Sequence, residues 1–279
     1  MHLQLGSRTL NLDRPQVMGV LNVTPDSFSD GGKIVTSDAA IRQAEVMFEA
    51  GAAIVDVGGE STRPGADRVS ENEELDRVIP VVETIAGNTD LAISIDTSKP
   101  GVMRAAVNAG ASMINDVYAL RQAGAVDAAS ELGVAVCLMH MKGEPGTMQD
   151  KPRYQDIPGD ILEFLSERIA ACRDAGMDGD RIAIDPGFGF GKTHEHNVRL
   201  LASLGRFQEL GMPLLVGLSR KRTLGALTGK GVEERLPSGI AAAVLAVERG
   251  ANIVRTHDVD ETVDALKIAS AVMRSGKDE

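Results

Sequence analysis

Three polar residues stand where apolar runs of strand length end, and all three carry hydrogen-bond acceptors. They are Asp96, Asn115 and Asp185. A carboxylate or an amide beside buried apolar residues costs free energy unless it is hydrogen-bonded. If these runs are strands around one opening, the three side chains would suit a flat heterocycle rich in hydrogen-bond donors, such as a pterin or a guanine. The alternative is that each side chain caps the turn or helix that follows it.

A second group of polar residues is cationic. Arg220, Lys221, Arg255 and His257 follow directly on the last two apolar runs of the chain. In barrels of alternating strands and helices, phosphate sites commonly use the loops after the seventh and eighth strands. This placement favours an anionic, phosphorylated ligand. The alternative is ordinary surface salt bridges, because Lys and Arg are mostly solvated.

The elements that must position these side chains follow from a repeat of apolar runs and helical patterns. Most of the runs are continuous rather than alternating, as expected of parallel strands buried on both faces. Amphipathic helical patterns lie between most of them, and no Pro/Gly/Ser linker divides the chain. We therefore predict an α/β fold, a single (β/α)₈ TIM barrel, over the alternative of an open doubly wound sheet. The eight runs are residues 17–23, 53–57, 91–95, 112–117, 135–139, 181–184, 213–218 and 251–254.

The segment before the first run predicts one more element. Residues 3–12 alternate apolar and polar side chains about Gly6 and Ser7, which is typical of a short β-hairpin. We expect a single domain over residues 1–279, with the hairpin in residues 1–16 and the barrel in residues 17–279. The hairpin would cover one end of the barrel.

Charge and cysteine content exclude several classes of protein. The 279 residues carry 40 acidic and 29 basic side chains, a net charge of -11, which argues against nucleic acid or an anionic membrane as partner. Two cysteines, Cys137 and Cys172, are too few for a disulfide framework. The first residues lack the pattern of a signal peptide, and no apolar run approaches the roughly 20 residues that span a bilayer. We expect a cytoplasmic protein.

Two local patterns resemble motifs that the rest of the chain does not support. Residues 187–193, G-F-G-F-G-K-T, end like a phosphate-binding P-loop, but that pattern requires Gly where Pro186 stands. We interpret these glycines as a close approach of the backbone to a ligand. His194 and His196 could be two metal ligands. No third His or Cys lies nearby in the sequence, so we expect a solvated loop.

Two long motifs and several short ones resemble the bacterial dihydropteroate synthase family. The long motifs are L-N-V-T-P-D-S-F-S-D-G-G at residues 21–32 and a glycine-rich segment whose core is D-V-G-G-E-S-T-R-P-G at residues 56–65. The match covers essentially the whole chain, and the TIM barrel that it implies agrees with the count of apolar runs. The short motifs are S-I-D-T (94–97), N-D (115–116), L-M-H-M (138–141), D-P-G-F-G-F-G (185–191), S-R-K (219–221) and R-T-H (255–257).

The resemblance implies a transferase of folate synthesis. A (7,8-dihydropterin-6-yl)methyl diphosphate would react with p-aminobenzoate to give 7,8-dihydropteroate and diphosphate. The resemblance further implies Mg²⁺ as cofactor, sulfonamides as mimics of p-aminobenzoate, and a homodimer. Two alternatives stay open: a pterin-dependent methyltransferase of the same superfamily, and a pterin-binding paralogue without activity. Neither explains a diphosphate-binding set of cations together with two intact long motifs.

The resemblance also implies roles for individual residues. Asp96, Asp185, Lys221 and Arg255 would be catalytic: the carboxylates stabilise a pterin cation, and positive charge stabilises the leaving diphosphate. We name no general base, because the attacking aromatic amine is already neutral at pH 7. The residues that would bind the pterin diphosphate are Thr62, Arg63, Asp96, Asn115, Met139, Asp185, Phe190, Gly217, Lys221, Arg255 and His257.

Four further residues complete the implied site. Phe28, Pro64 and Ser219 would bind p-aminobenzoate, and Asn22 would reach the diphosphate through Mg²⁺. The residues alone leave Phe28 undecided, because a ring in a loop of Ser, Asp and Gly either anchors the loop or meets a ligand. The resemblance favours the second.

Overall fold

Ten strands and nine α-helices make up the described part of the chain, which is residues 1–23, 37–61, 69–144 and 146–275 of a computed structural model. The strands are β1 (His2–Leu5), β2 (Arg8–Asn11), β3 (Gln16–Asn22), β4 (Ile54–Gly58), β5 (Ala92–Asp96), β6 (Met113–Asp116), β7 (Ala135–Met139), β8 (Ile182–Asp185), β9 (Leu215–Gly217) and β10 (Ile253–Thr256).

Eight of these strands form a closed barrel. They pair in parallel in the order β8-β7-β6-β5-β4-β3-β10-β9. A single parallel bridge between Ile184 and Leu214 joins β8 to the start of β9 and completes the ring. The predicted TIM barrel is therefore confirmed, and the alternative of an open sheet is wrong.

Helices cover the outside of the barrel. They alternate with the strands because each amphipathic helix buries its apolar face against the sheet. Short 3₁₀ helices at Gly179–Arg181, Leu204–Leu210 and Val232–Glu234 join some of them. None of the described helices is long and apolar enough to cross a membrane. The α-helices are α1 (Ser37–Glu49), α2 (Glu71–Asn88), α3 (Pro100–Asn108), α4 (Ala125–Leu132), α5 (Ile157–Asp174), α6 (His194–Ala202), α7 (Arg222–Thr228), α8 (Leu236–Glu248) and α9 (Val259–Ser275).

The apolar side chains of the strands form two separate clusters. Successive residues of a strand point to opposite faces, so Val55 packs with the helices while its neighbour Ile54 packs inside the barrel. The cluster inside the barrel consists mainly of residues from the first half of each strand, together with Leu3, Leu5 and Leu12 of the hairpin region. The antiparallel hairpin β1–β2 therefore closes the amino-terminal end of the barrel, as the sequence predicts.

The register of the strands brings the predicted site residues to the other end. Asn22 is level with Gly58, Gly58 with Asp96, and Asp96 with Asn115. On the far side of the ring, Met139 is level with Asp185. Residues that lie far apart in the sequence thus meet at one rim, where ligands bind in barrels of this class.

Candidate active site

A cleft opens at the carboxyl ends of the barrel strands. It holds about 340 Å³ of space, part of it open to solvent. Eight of the eleven residues predicted to bind the pterin diphosphate line it, and Val117 and Phe188 are additional. The lining residues are Asp96, Asn115, Val117, Met139, Asp185, Phe188, Phe190, Gly217, Lys221 and Arg255.

Each of the three predicted side chains has one polar atom in a hydrogen bond with another protein group. Asp96 Oδ2 accepts from Arg255 Nη2 at 3.0 Å, and Asn115 Nδ2 donates to Asp56 Oδ2 at 3.0 Å. Asp185 Oδ1 accepts from the backbone N–H of Gly187 at 2.7 Å. One oxygen of Asp185 bonds within its own turn, so the capping alternative holds for that oxygen. It does not hold for Asp96 or Asn115. The second oxygen of Asp96, that of Asp185 and the amide oxygen of Asn115 make no protein hydrogen bond among the described residues.

Asp56 bonds to two residues that line the cleft, Asn115 and Arg255, although no role is predicted for it from the sequence. The residue is fully buried in the middle of β4, and its Oδ2 accepts from both Arg255 Nε, at 2.6 Å, and Asn115. Its Oδ1 is buried and has no partner among the described residues. A carboxylate inside a continuous apolar run requires a cation nearby. That requirement, together with the position of Asp56 at the start of the D-V-G-G-E-S-T-R-P-G motif, could have identified it from the sequence.

Arg255 binds two carboxylates at once and sets their electrostatics. Burial alone would lower the pKa of Arg255, but the charges of Asp56 and Asp96 raise it, so the guanidinium stays charged. Burial and the neighbouring charge of Asp56 raise the pKa of Asp96 to about 7, and Arg255 only partly opposes this shift. Burial also raises the pKa of Asp185. The rim thus holds carboxylates whose charged form would be stabilised by a ligand that brings hydrogen-bond donors or positive charge.

Lys221 is the cation that faces the cleft without an ion pair among the described residues. Its Nζ lies 4.4 Å from the centre of the Phe190 ring, a cation–π contact. Burial lowers the pKa of Lys221 to about 8, although Asp185 opposes the shift. The amine is therefore mostly protonated at pH 7 and available to an acceptor on a ligand.

Ser219 and His257 form a second polar group beside the cleft. Ser219 Oγ lies 3.1 Å from His257 Nδ1 and 3.4 Å from Asp258 Oδ2. Burial and the charge of Arg255 lower the pKa of His257 to about 4, so the imidazole is neutral at pH 7. Arg220 pairs with Asp258 at 2.6 Å. Two of the four predicted cations therefore differ from the expectation of a phosphate site. His257 is a neutral hydrogen-bonding group, and Arg220 forms a salt bridge.

The remaining predicted residues fall into two groups. Asn22 ends β3, and a Cβ added at Gly58 would lie 3.9 Å from Asn22 Oδ1 and 3.8 Å from Asp96 Oδ2, so both oxygens border that glycine. Where residues are described, no group of three His, Cys, Asp or Glu could hold a metal ion. Four predicted residues lie outside the described residues, and their roles stay predictions: Phe28, Thr62, Arg63 and Pro64.

The glycines of the D-P-G-F-G-F-G motif approach protein rather than a ligand. Gly187 has φ +71°, and a Cβ there would lie 1.9 Å from the carbonyl oxygen of His140. At Gly191, φ is +61° and a Cβ would lie 2.3 Å from the carbonyl oxygen of Lys142. The interpretation as close contacts with a ligand is wrong for these two positions, because the loop after β7 occupies the space.

His194 and His196 are not in a loop. They lie in the first turn of α6, where the backbone N–H of His196 donates to the side chain of Thr193 at 3.1 Å. The ring of His196 accepts from the backbone N–H of Thr193 in return, at 3.3 Å. Thr193 and His196 therefore form a capping box at the start of α6, which the position of Thr193 three residues before His196 could have suggested.

Comparison with known proteins agrees with this geometry. Residues 18–257 match the family model described as pterin binding enzyme. The dihydropteroate synthase of Escherichia coli strain K12 is 51% identical over 265 residues, which cover 95% of this chain and 94% of that protein. The chain belongs to the dihydropteroate synthase family of pterin-binding enzymes. Its activity is the synthesis of 7,8-dihydropteroate, a transfer of an alkyl group other than methyl in folate biosynthesis.

Solved structures of this family share the whole fold. The dihydropteroate synthase of Yersinia pestis, solved with a sulfonamide drug, superposes with a TM-score of 0.94 at 50% identity, covering 98% of this chain and 100% of that one. The Xanthomonas albilineans enzyme, solved with 7,8-dihydropteroate, gives 0.90 at 51% identity, covering 98% and 99%. These TM-scores and coverages show that the fold is shared over nearly the whole length of the chains.

Proposed function

We propose that the cleft binds (7,8-dihydropterin-6-yl)methyl diphosphate with its ring against the three acceptors and its diphosphate toward the cations. The observation that supports this most is that one cleft is lined both by acceptors, Asp96, Asn115 and Asp185, and by the cations Lys221 and Arg255. The amino-pyrimidinone edge of a pterin is rich in N–H donors. The acceptor atoms that bond to no described residue give such a ring an orientation as well as affinity.

Two apolar side chains support a flat ligand in this cleft. Met139 is 4% exposed at the end of β7, and Phe190, which lies beneath Lys221, is packed against the same apolar cluster as Met139. We propose that the pterin ring packs against both, since aromatic rings and thioethers both make favourable contacts with flat rings. Lys221 would then donate to an acceptor atom of the ring while remaining in contact with Phe190.

The reaction needs charge stabilisation more than proton transfer. Departure of diphosphate from the CH₂ group leaves a cation that is delocalised into the pterin. We propose that Asp96 and Asp185 stabilise this cation, and that Lys221 and Arg255 stabilise the charge that develops on the leaving group. The two carboxylates hold Arg255 in one position, so the guanidinium needs no rearrangement before reaction. His257, neutral at pH 7, would donate a hydrogen bond to the diphosphate.

Mg²⁺ belongs to the proposal as an ion held mainly by the substrate. Asn22 supplies one amide oxygen at the end of β3, and this oxygen borders Gly58 on β4, as does Oδ2 of Asp96. Mg²⁺ typically binds one or two protein oxygens, several waters and phosphate oxygens, so this donor set fits a metal that arrives with a diphosphate. When bound, the ion would neutralise part of the charge of the leaving group.

The second substrate is proposed to bind beside the first. Ser219 would contact the carboxylate of p-aminobenzoate, with Phe28 and Pro64 completing the pocket. The bonds between Ser219, His257 and Asp258 support this role because they hold the hydroxyl at the edge of the cleft. The relatives solved with 7,8-dihydropteroate, which contains both substrate groups, and with a sulfonamide support the same pocket as a sulfonamide site.

A homodimer is the proposed assembly. Ile268 and Val272, one turn apart on α9, are 69% and 67% exposed. Leu245 on α8, the helix that packs beside α9, is 40% exposed. Exposed apolar side chains on neighbouring helices favour burial against a second copy. Sedimentation equilibrium tests this directly, since a monomer at micromolar concentration would contradict it.

The cytoplasmic location stays a prediction.

One assay tests the proposed function. Purified protein, Mg²⁺, the pterin diphosphate and p-aminobenzoate should yield equal amounts of diphosphate and 7,8-dihydropteroate. Omission of p-aminobenzoate should abolish dihydropteroate formation. A paralogue without activity would bind the pterin and release nothing, and a methyltransferase would show no preference for the diphosphate ester over the free pterin. Either result would overturn the proposal.

A further inference from the structure

Lys192 is a buried lysine that the reaction does not use. It follows the D-P-G-F-G-F-G motif directly, and the residue is only 3% exposed. Where the chain is described, no carboxylate lies within ion-pair distance of its Nζ. Burying a lysine without a counter-ion is expensive, so its contacts must provide a specific benefit.

The amine of Lys192 binds both ends of one tight turn. Its Nζ donates to the carbonyl oxygens of Gly187, at 2.9 Å, and Phe190, at 3.1 Å. The backbone N–H of Phe190 also donates to the Gly187 carbonyl, at 3.2 Å, which closes the turn. Both ends of the turn belong to the proposed pterin site, because Gly187 donates to Asp185 and Phe190 lines the cleft.

The third contact of Lys192 is His140. The two nitrogens, Nζ and Nδ1, lie 2.9 Å apart. Burial and the charge of Lys192 lower the pKa of His140 to about 2, so the imidazole is neutral and its Nδ1 can accept. Burial also lowers the pKa of Lys192, and Asp185 opposes this shift. Three acceptors around one Nζ match the three N–H bonds of an ammonium group.

Three other side chains form hydrogen bonds with the backbone of the same loop. Gln149 Nε2 donates to the carbonyl of Gly189 at 2.6 Å, and Tyr154 Oη donates to that of Gly191 at 2.9 Å. Asn197 Oδ1 accepts from the backbone N–H of Gly189 at 2.8 Å. Four of the five carbonyls between residues 187 and 191 are therefore held by side chains, and Lys192 alone holds two of them.

We propose that Lys192, supported by His140, is a positioning residue that fixes Phe190 and Asp185 in the geometry required by the pterin ring. Gln149 and Tyr154 act in the same way through their bonds to the carbonyls of Gly189 and Gly191. The inference rests on the proposed function, since it assumes that the ring packs on Phe190 and bonds to Asp185. It adds that pterin affinity is set by a lysine that does not contact the substrate.

The test compares Lys192→Met with Lys142→Met. Lys142 is the matched control, because it lies on the neighbouring loop and its ammonium contacts Tyr154 at 4.5 Å, but its Nζ donates to the carbonyl of Arg153 and, among the described residues, to no carbonyl of residues 187–191. We expect Lys192→Met to raise Kd and KM for the pterin diphosphate about tenfold, the size of a lost charge-assisted hydrogen bond. KM for p-aminobenzoate should change less than twofold. Lys142→Met should change neither constant by more than twofold.

Two results would overturn the inference. One is a folded Lys192→Met protein whose Kd for the pterin diphosphate stays within twofold of wild type. The other is an equal rise in KM for both substrates, which would indicate general loosening rather than positioning. Absence of pterin binding by the wild type would overturn the proposed function as well, which separates the two failures.

A second variant keeps the inference testable if Lys192→Met does not fold. Gln149→Met with Tyr154→Phe removes one hydrogen bond to each of two carbonyls and leaves Lys192 in place. We expect a threefold or larger rise in Kd for the pterin diphosphate, with KM for p-aminobenzoate unchanged. An unchanged Kd in this folded double variant would contradict the inference.

Discussion

The two ends of the barrel bury different kinds of side chain, although the same eight strands build both. At the amino end, Leu3 and Leu5 of the hairpin pack on Met18 and Ile54 of the strands, and all four are at most 3% exposed. At the carboxyl end, the rim instead buries the carboxylates of Asp56 and Asp185 and the amide of Asn115, with Lys221 and Arg255 partly buried beside them. Apolar burial lowers the free energy of the folded state with or without a ligand.

Burial of Asp56 and Asp185 has the opposite effect on the free energy of the folded state. Desolvated carboxylates raise the free energy of the folded state unless cations or donors compensate. Arg255 compensates Asp56, whereas Asp185 keeps one oxygen without a protein partner among the described residues. The amino end therefore contributes stability and the carboxyl end contributes binding, a division typical of barrels of this class. Variants at each end should separate the two properties.

Arg255→Ala should have the largest effect, because it leaves the buried carboxylate of Asp56 without its cation. Removing one partner of a buried ion pair costs about 3–5 kcal/mol, so we expect the free energy of unfolding to fall by about that amount. Urea unfolding at pH 7 measures it. The double variant Asp56→Asn, Arg255→Ala removes the uncompensated charge and should recover at least about 1 kcal/mol. A double variant no more stable than Arg255→Ala would contradict the pairing.

Asp185→Asn should reduce activity while leaving stability nearly unchanged. The amide still accepts from Gly187 but cannot stabilise a pterin cation with a negative charge. We expect kcat/KM for the pterin diphosphate to fall about 10²–10³-fold, the usual effect of removing one electrostatic stabiliser. The melting temperature should not drop, since a buried charge is removed. Activity within threefold of wild type would show that Asp185 does not face the substrate.

Leu3→Ala is the counterpart at the amino end. A large-to-small change in a packed core costs about 2–5 kcal/mol, and Leu3 is fully buried. We expect the free energy of unfolding to fall by about 3 kcal/mol, with kcat/KM within twofold of wild type at a temperature where the variant is folded. A selective loss of activity in the folded variant would mean that the two ends are coupled.

The pH dependence of activity should show two limits. Burial and Asp56 raise the pKa of Asp96 to about 7, so below that pH the carboxylate is protonated and its support of the pterin cation is lost. Burial lowers the pKa of Lys221 to about 8, so above that pH its positive charge is lost. We expect kcat/KM for the pterin diphosphate to be bell-shaped with a maximum between these values.

Two variants test the assignment of these limits. Lys221→Met should remove the alkaline limb, and Asp96→Asn should flatten the acid limb. Each variant is measured over the full pH range with p-aminobenzoate saturating. If both limbs persist unchanged in both variants, other groups control the profile.

The sequence predicts the strands and the rim better than it predicts the contacts between them. Continuous apolar runs identify buried parallel strands, and a polar residue at the end of each run identifies the rim. Asp96, Asn115 and Asp185 follow from that reasoning alone. The bond between Asp56 and Arg255 does not, because the two residues are 199 positions apart and meet only when the barrel closes.

The glycine-rich motif shows the same limit. Its composition indicates that something approaches the backbone closely, but the identity of the neighbour depends on the loop after β7. The sequence gives Lys192 no role once the P-loop is rejected, since no local pattern indicates which carbonyls its amine reaches. Local patterns predict local structure and the type of residue at each strand end, whereas pairing across the barrel depends on tertiary structure.

The most direct test of the central claim is a crystal structure of this protein with the pterin diphosphate. The proposed orientation predicts ring N–H groups within about 3.2 Å of Asp185 and Asn115, and diphosphate oxygens within reach of Lys221, Arg255 or His257. A pterin bound in the reverse orientation, with its diphosphate toward the carboxylates, would contradict the account. So would a pterin bound anywhere other than the carboxyl end of the barrel.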